Sequence, residues 1–219
     1  MRNNVDGQFY REAVQGLGVG EGRAIRQRNN VGVYAHVRVA IHPMARGQGV
    51  HIAWEAAESI LPVFASAVIQ GVYDAMNAGV LAGMKMIDVH ASVEDGSYHD
   101  IDSTAEAFRE AAKQGTLEAL QQAQPVLLEA MAQITATAPT EFLSSIEELV
   151  SSFGGRVKLT RRSSQTSVVE TRVPAPRAIE MVARILAATE SRSTISMVVA
   201  GYEISPEPPD TIEQWVPAN

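Results

Sequence analysis

Hydrophobic and polar residues alternate along positions 33–42, which is the pattern of a half-buried β-strand. The apolar face of this strand is formed by Val33, Ala35, Val37, Val39 and Ile41. Positions 23–27 predict the preceding strand, and the connection between the two is Arg28-Asn29-Asn30-Val31-Gly32. Because Asn and Gly tolerate the positive φ of tight turns, we expect a hairpin at this point.

Two segments show helical periodicity instead. Positions 61–78 carry apolar residues at spacings of three and four, and Gly79 ends the pattern. The predicted inner face is Phe64, Val68, Val72, Ala75 and Met76. The alanine-rich segment 104–122 predicts a second helix, with Asp102 or Ser103 as its cap and Glu106 in its first turn. Its predicted inner face is Ala105, Phe108, Ala112, Leu117 and Leu120.

Further strands are predicted at 50–55, 86–93 and 125–134 from their β-branched and apolar content. Asp95-Gly96 is a strong turn dipeptide, so we expect the chain to leave the sheet there in a tight, exposed loop. Residues 1–22 are polar and glycine-rich, and apart from a short strand near 9–14 we expect little rigid structure in them. Together these elements predict α/β layers on one sheet.

The second half of the chain predicts a different order of elements. Thr140 is placed to cap a helix, and a first strand from about 125–137 is shared with the preceding region. The order is then βαββαβ, which is the ferredoxin-like arrangement. The remaining predicted elements are a helix at 141–153, strands at 156–161 and 166–173, a helix opened by Pro174 or Pro176, and a strand at 194–204.

Composition supports two small domains, since 219 residues with 46% hydrophobic content can form two cores. We expect them at 1–138 and 139–205, followed by a proline-rich, acidic tail at 206–219. The net charge of −7 argues against a general nucleic-acid binder, so any RNA contact must be local. With no cysteine and no apolar stretch near the roughly 20 residues of a membrane span, we expect a cytoplasmic protein without disulfides. We also expect it to be a monomer.

The candidate chemical groups do not form a catalytic or metal centre. Asp88 and His90 are two positions apart on a predicted strand and would share a face, but two ligands do not make a metal site. Asp100, Asp102 and Glu106 are interpreted as charges that stabilise a helix amino terminus. No nucleophile with its base and no Gly-x-x-x-x-Gly-Lys-Ser/Thr phosphate loop occurs, so we predict no catalytic residue, no metal and no cofactor in this chain.

The most basic stretch of the chain lies on a predicted strand of its second half. It consists of Arg156, Lys158, Arg161 and Arg162. Alternation places Arg156, Lys158 and Thr160 on one face of that strand. Such a face is either a solvated outer surface or an edge that contacts phosphate groups.

One stretch carries a specific resemblance. Positions 95–103 read Asp-Gly-Ser-Tyr-His-Asp-Ile-Asp-Ser, Ala107-Phe108 follows, and Pro-Val-Leu-Leu-Glu stands at 125–129. This combination resembles the fourth domain of elongation factor G, the translocation GTPase. The segment behind Pro139 resembles the fifth domain, and the whole resemblance covers about 10–206. The chain also resembles a second signature of the family, at Arg26-Gln27, Gly32, Tyr34, His36 and Val37.

The resemblance implies an α+β chain of two α/β-sandwich domains. The first would be like the second domain of ribosomal protein S5, and the second would be ferredoxin-like. It also implies that loops of the first domain reach the decoding centre of the small ribosomal subunit during translocation, and that the second approaches large-subunit RNA. GTP and magnesium would belong to a parent protein that carries the GTPase domain. The implied ribosome-contacting residues are Arg28, Asn29, Asn30, Gly96, Ser97, Tyr98 and His99, with a secondary basic patch of Arg156, Lys158, Arg161 and Arg162.

The chain departs from the family pattern in three places. Val31 stands where the family has an arginine, and the segments 147–154 and 188–193 lack the family's glycine-rich and arginine-rich turns. These departures indicate a divergent factor. Two alternatives therefore stay open: a free-standing interaction module that kept the fold without ribosomal function, and part of a ribosomal-protection factor of the tetracycline-resistance kind.

Overall fold

The computed structural model describes residues 9–28 and 31–205 and divides the chain into two compact units. The first unit is built on the chain up to Leu128, and the second is Glu129–Glu203. A single strand, Pro125–Pro139, runs through the point of division. The boundary expected from the sequence lies at the end of this same strand, at Pro139. That this boundary is where a protease would separate two domains stays a prediction.

The first unit contains a four-stranded mixed sheet and two helices. The unit has the strands β1 (Tyr10–Val14), β2 (Gly18–Arg28), β3 (Val31–Pro43), β4 (Val50–Trp54) and β5 (Val89–Ser97), of which β2 to β5 form this sheet and β1 lies outside it. The sheet order is β2-β3-β5-β4, in which β3 pairs antiparallel with β2 and β5, and β4 pairs parallel with β5. Helix α1 (Ala65–Ala78), preceded by a 3-10 turn at Pro62–Phe64, lies between β4 and β5 in the chain. Helix α2 (Ala105–Gln122) follows β5.

The predicted periodicities locate the core of this unit. Val37, Val39 and Ile41 of β3 are buried, as the alternation predicts. Helix α1 buries four of its five predicted positions and Gly71, while Phe64 lies in the preceding 3-10 turn and is partly buried. Ala105 of α2 is exposed, because it is the first helical residue and precedes the turn that packs. The buried face of α2 is Ala107, Phe108, Ala111, Ala112, Gly115, Thr116, Ala119 and Leu120.

The glycines that the sequence analysis assigned to a region of little rigid structure form the start of β2. That expectation is wrong for residues 18–22. A side chain at Gly18, Gly20 or Gly22 would overlap backbone atoms of α2. The atoms in question are the carbonyl oxygens of Ala119, Gly115 and Ala111, in that order. The glycines therefore let the helix lie directly on the strand, which is a packing role and not a flexible one.

Helix α2 also covers the free edge of β2. The backbone N–H of Glu21 donates to Glu118 Oε2 at 3.0 Å, and that of Arg23 donates to Gln114 Oε1 at 3.2 Å. An edge strand otherwise presents such donors to solvent or to another chain. Arg26, further along β2, forms an ion pair with Glu110 of the same helix. The strand and the helix are thus joined by backbone packing and by side chains.

Glu12 of β1 is a fully buried carboxylate that organises the connection after α1. Its two oxygens accept hydrogen bonds from the backbone N–H groups of Val80, Leu81, Ala82 and Met84, at 2.6 to 2.9 Å. Successive N–H groups that converge in this way form an anion-binding concavity. Here the chain's own carboxylate fills it, so Glu12 has a structural role.

The second unit shows the predicted βαββαβ order. Its elements are β6 (Pro125–Pro139), α3 (Leu143–Ser152), β7 (Arg156–Arg162), β8 (Thr166–Pro174), α4 (Ala175–Ala188) and β9 (Thr194–Ile204). Strand β8 lies between β6 and β7, and β9 pairs with β6. This arrangement is ferredoxin-like. None of the helices in residues 9–28 and 31–205 is long and apolar enough to cross a membrane.

The prediction that Thr140 caps the first helix of this unit is wrong. The Thr140 hydroxyl donates to the Ser163 carbonyl at 3.1 Å and accepts from the Ser167 hydroxyl at 3.1 Å. Helix α3 begins after a 3-10 turn at Thr140–Phe142 and has no side-chain cap. Thr140 therefore ties the end of β6 to the β7–β8 turn, a long-range role that a local capping pattern does not reveal.

Candidate functional site

Asp95-Gly96 does not form the predicted turn. Strand β5 continues through both residues to Ser97, with Arg38 opposite Asp95 and Val39 opposite Val93, so Glu94 forms a bulge. A side chain at Gly96 would overlap the His36 carbonyl and the Ile60 side chain. The glycine thus permits close packing within the strand. The Gly96 N–H, helped by the Ser59 hydroxyl, holds the pKa of the Asp95 carboxyl below its ordinary value.

The exposed loop begins after the end of β5 and spans 98–104. Thr104 Oγ1 accepts the N–H of Ala107 at 3.1 Å, so Thr104 caps α2, and neither Asp102 nor Ser103 does. Glu106 lies in the first turn of the helix, as predicted. Asp102 and Ser103 are consequently available for contacts across the loop.

Ser103 fastens this loop to the beginning of β3. Its hydroxyl donates to the Tyr34 carbonyl at 2.7 Å and accepts the N–H of His99 at 2.9 Å. The Ser103 N–H donates to the His99 carbonyl at 3.1 Å, and the Tyr34 N–H donates to the Asp102 carbonyl at 2.9 Å. These bonds hold the loop against the same end of the sheet at which β2 ends and β3 begins.

The imidazole of His99 is held by its inner nitrogen. His99 Nδ1 accepts the N–H groups of Ile101 and Asp102, each at 3.4 Å, and lies 3.4 Å from Asp102 Oδ2. Because Nδ1 is engaged within the loop, Nε2 is the ring nitrogen left for a partner, and 56% of the side chain is exposed. The loop therefore presents a ring nitrogen and a ring face to a partner.

Three large side chains are exposed around His99. Tyr98 and Ile25 are partly open to solvent, and Ile101 is 85% exposed. A single exposed apolar residue is ordinary, but three such side chains around one loop form a candidate contact surface. Sequence reasoning missed Ile101, although the single aliphatic residue within a run of Asp, Ser and His was a usable signal.

We call the 98–104 loop, together with the adjoining ends of β2 and β3, the tip. It surrounds an open depression of about 320 Å³. Gly32 lies against the Asp102 carboxylate, where a larger residue would overlap it. The residues that line the depression are Ile25, Arg26, Gln27, Gly32, Val33, Tyr34, His99 and Asp102.

The predicted site residues fall into three groups. Tyr98 and His99 lie on the exposed loop, whereas Gly96 and Ser97 are in β5, where Ser97 Oγ is 2.8 Å from the Tyr34 hydroxyl. Asn29 and Asn30 lie outside the described residues, as does the side chain of Arg28, although the Arg28 backbone pairs with Val31 at the tip. Their role in binding RNA stays a prediction.

The secondary basic patch is divided by a bulge in β7. Between Val157 and Leu159 the register with β8 shifts by one residue, which leaves Lys158 unpaired. The prediction that Thr160 shares a face with Arg156 is therefore wrong. Thr160 Oγ1 instead lies 3.4 Å from Glu147 of α3, on the helix side of the sheet. Arg156 and Lys158 line a separate depression in the second unit, from which Arg161 and Arg162 are absent.

Asp88 and His90 do not share a strand face as predicted. Asp88 precedes β5, has a φ of 58°, and is buried. Its Oδ1 accepts the N–H groups of Gly47 and Gly49, each at 3.0 Å, so it shapes the β3–β4 connection. Across residues 9–28 and 31–205, no group of three or more His, Asp or Glu side chains is placed to hold a metal ion.

Comparison with known proteins agrees with this architecture. Residues 9–124 match the family model described as elongation factor G, domain IV, and residues 126–212 match the one described as elongation factor G C-terminus. A crystal structure of a Thermus thermophilus protein is similar to the chain with a TM-score of 0.81 and 26% identity over 90% of the chain. The chain spans 30% of the length of that protein. The two-domain α+β fold inferred from the resemblance is confirmed.

Proposed function

Because this chain belongs to the elongation factor G family, through domain IV and the C-terminal domain, we propose that it is the ribosome-contacting portion of a translation factor. In this proposal the tip enters the decoding centre of the small ribosomal subunit during translocation. The chain then acts in the cytoplasm, where it binds RNA and performs no nucleotide chemistry of its own. In this proposal, GTP hydrolysis belongs to a parent protein that carries the GTPase domain.

The observation that supports this proposal most is the order of the tip. Four hydrogen bonds among Tyr34, His99, Asp102 and Ser103 fix the loop before any partner is bound. A preorganised loop loses little conformational entropy on binding, so more of the contact energy appears as affinity. Recognition surfaces are commonly loops of this kind, held out by a rigid scaffold.

The exposed groups of the tip match the chemistry of unpaired RNA. Tyr98 and the His99 ring offer planes on which bases stack, and His99 Nε2, when it carries a proton, is a donor for phosphate or ribose oxygens. Ile101 is exposed to water in the free protein and adds an apolar contact when a partner covers it. Since the chain has a net charge of −7, such local contacts have to supply the affinity that a basic surface would supply elsewhere.

Ribosome pelleting tests the proposal with the wild type, His99→Ala and Arg28→Ala/His99→Ala. Each lost stacking or phosphate contact should weaken ribosome binding by roughly 1 to 3 kcal/mol. His51→Ala is the matched control, because His51 is an exposed histidine on β4 outside the tip. Folding should change by less than about 0.5 kcal/mol in all variants, which thermal unfolding can check. Equal pelleting of all four proteins would instead favour a free-standing interaction module.

A further inference from the structure

The second unit carries an open depression of about 420 Å³ in which positive charge is concentrated. This volume is within the range of small-ligand sites. The residues that line it are Met131, Gly154, Arg156, Lys158, Arg172 and Glu203. We call these residues the basic depression. Three of the six carry a positive charge, and one carries a negative charge.

The strand register places two of these cations directly against each other. Arg156 of β7 and Arg172 of β8 are antiparallel partners. Like charges in this position destabilise a sheet. Within the described part of the chain, the side chains of Arg156 and Lys158 form no ion pair or hydrogen bond, although ten ion pairs occur outside the depression. Glu203, which pairs with Arg172, is the one anion among the lining residues, so two of the three positive charges have no paired carboxylate.

Arg172 is held in a fixed position inside this group. Its Nη2 donates to the Ala200 carbonyl at 2.7 Å, and its Nη1 lies 2.8 Å from Glu203 Oε1. Its Nε is buried and has no hydrogen-bond partner. A buried donor without an acceptor is costly and requires an explanation, of which a bound water or anion is one.

We propose that the basic depression binds a phosphate group, with Arg156, Lys158 and Arg172 as its ligands. A guanidinium group can donate two parallel hydrogen bonds to two oxygens of a phosphate, and a lysine ammonium adds a positive point charge. A bound phosphate would relieve the repulsion between Arg156 and Arg172. Glu203 would compete with the phosphate, because its carboxylate forms an ion pair with the Arg172 guanidinium in the free protein. This site is separate from the tip and does not depend on the ribosome proposal.

The phosphate can come from a free small molecule or from the backbone of RNA, and two binding measurements distinguish these sources. Calorimetry with pyrophosphate measures the free ligand, and fluorescence anisotropy with a short labelled RNA measures the phosphodiester. Loss of Arg156 and Lys158 together, as Arg156→Gln/Lys158→Gln, should weaken binding of the true ligand by about tenfold or more. Arg161→Gln/Arg162→Gln removes two cations from the same strand outside the depression and should change the affinity by less than about threefold.

The Glu203→Gln variant tests the proposal by a gain of affinity instead of a loss. Removing the competing carboxylate should tighten binding by about threefold, whereas Glu141→Gln, which removes an equal charge elsewhere in the unit, should have a smaller effect. A response to pyrophosphate assigns the site to a free phosphate, and a response to RNA alone assigns it to a phosphodiester. The proposal is overturned if the pocket variants and the strand controls lose affinity equally for both ligands, or if no variant changes either affinity.

Discussion

The two units cover their sheets in different ways. In the first, α2 lies against β2 by backbone contact, since Gly18, Gly20 and Gly22 leave no side chain between them. In the second, the space between helices and sheet is filled by side chains, among them Ile146 of α3 and Ile185 of α4. Backbone contact tolerates no added atom, whereas side-chain packing can adjust its rotamers. The unit that carries the tip is therefore the less adaptable one.

The same substitution, glycine to alanine, should have very different effects in the two units. Gly22→Ala places a methyl group onto the Ala111 carbonyl, where no side chain can move away, and should cost about 3 kcal/mol or more. Gly154→Ala meets no atom within 4 Å and is strained only by its φ of 73°, so it should cost about 1 kcal/mol. Urea denaturation followed by circular dichroism measures both. Similar costs for the two would remove the proposed contrast.

Buried and exposed carboxylates extend the comparison. Glu12→Gln turns an NH₂ group toward backbone donors in place of a carboxylate oxygen and should destabilise the first unit by about 3 kcal/mol. Glu141→Gln in the second unit removes only an exposed pair with Arg192 and should cost less than about 0.5 kcal/mol. In a Trp215→Phe background, Trp54 fluorescence reports unfolding of the first unit. A Glu12→Gln protein as stable as the wild type would contradict the structural role of this carboxylate.

A smaller effect is expected where α1 meets α2. The Arg109 side chain donates to Asp74 at 2.6 Å and holds the pKa of that carboxyl below its ordinary value, with Gln70 contributing. A lowered pKa in the folded protein stabilises it above about pH 4, and this contribution disappears as the pH falls through the folded value. Arg109→Gln should therefore raise the Asp74 titration midpoint measured by NMR. The stability difference between variant and wild type should also shrink in acid, and a midpoint that does not move would show that the pair is not formed in solution.

Periodic features of the fold were predictable from the sequence, because they depend on neighbours two to four positions apart. The alternation in β3, the inner face of α1 and the βαββαβ order of the second unit are examples. Glycine was misread twice, at 18–22 and at Gly96, because a turn and a close backbone approach produce the same local pattern. Only the position of α2 and of Ile60 distinguishes the two roles.

At the tip, the sequence located the loop but not what holds it. The resemblance identified Tyr98 and His99, whereas the bond from Ser103 to the Tyr34 carbonyl joins residues 69 positions apart. The basic depression depends on the bulge at Lys158 and on the cross-strand pairing of Arg156 with Arg172. Strict alternation could predict neither, since a bulge changes which residues face each other.

The covered edge of β2 has a consequence for synthesis of the chain. The side chains that occupy its Glu21 and Arg23 donors come from residues 97 and 91 positions later. At a translation rate of about 5 to 20 residues per second, β2 leaves the ribosome about 5 to 20 seconds before those side chains leave it. During that interval its donors are open to pairing with other nascent chains. The first unit is thus protected from edge-to-edge association only after α2 has been translated.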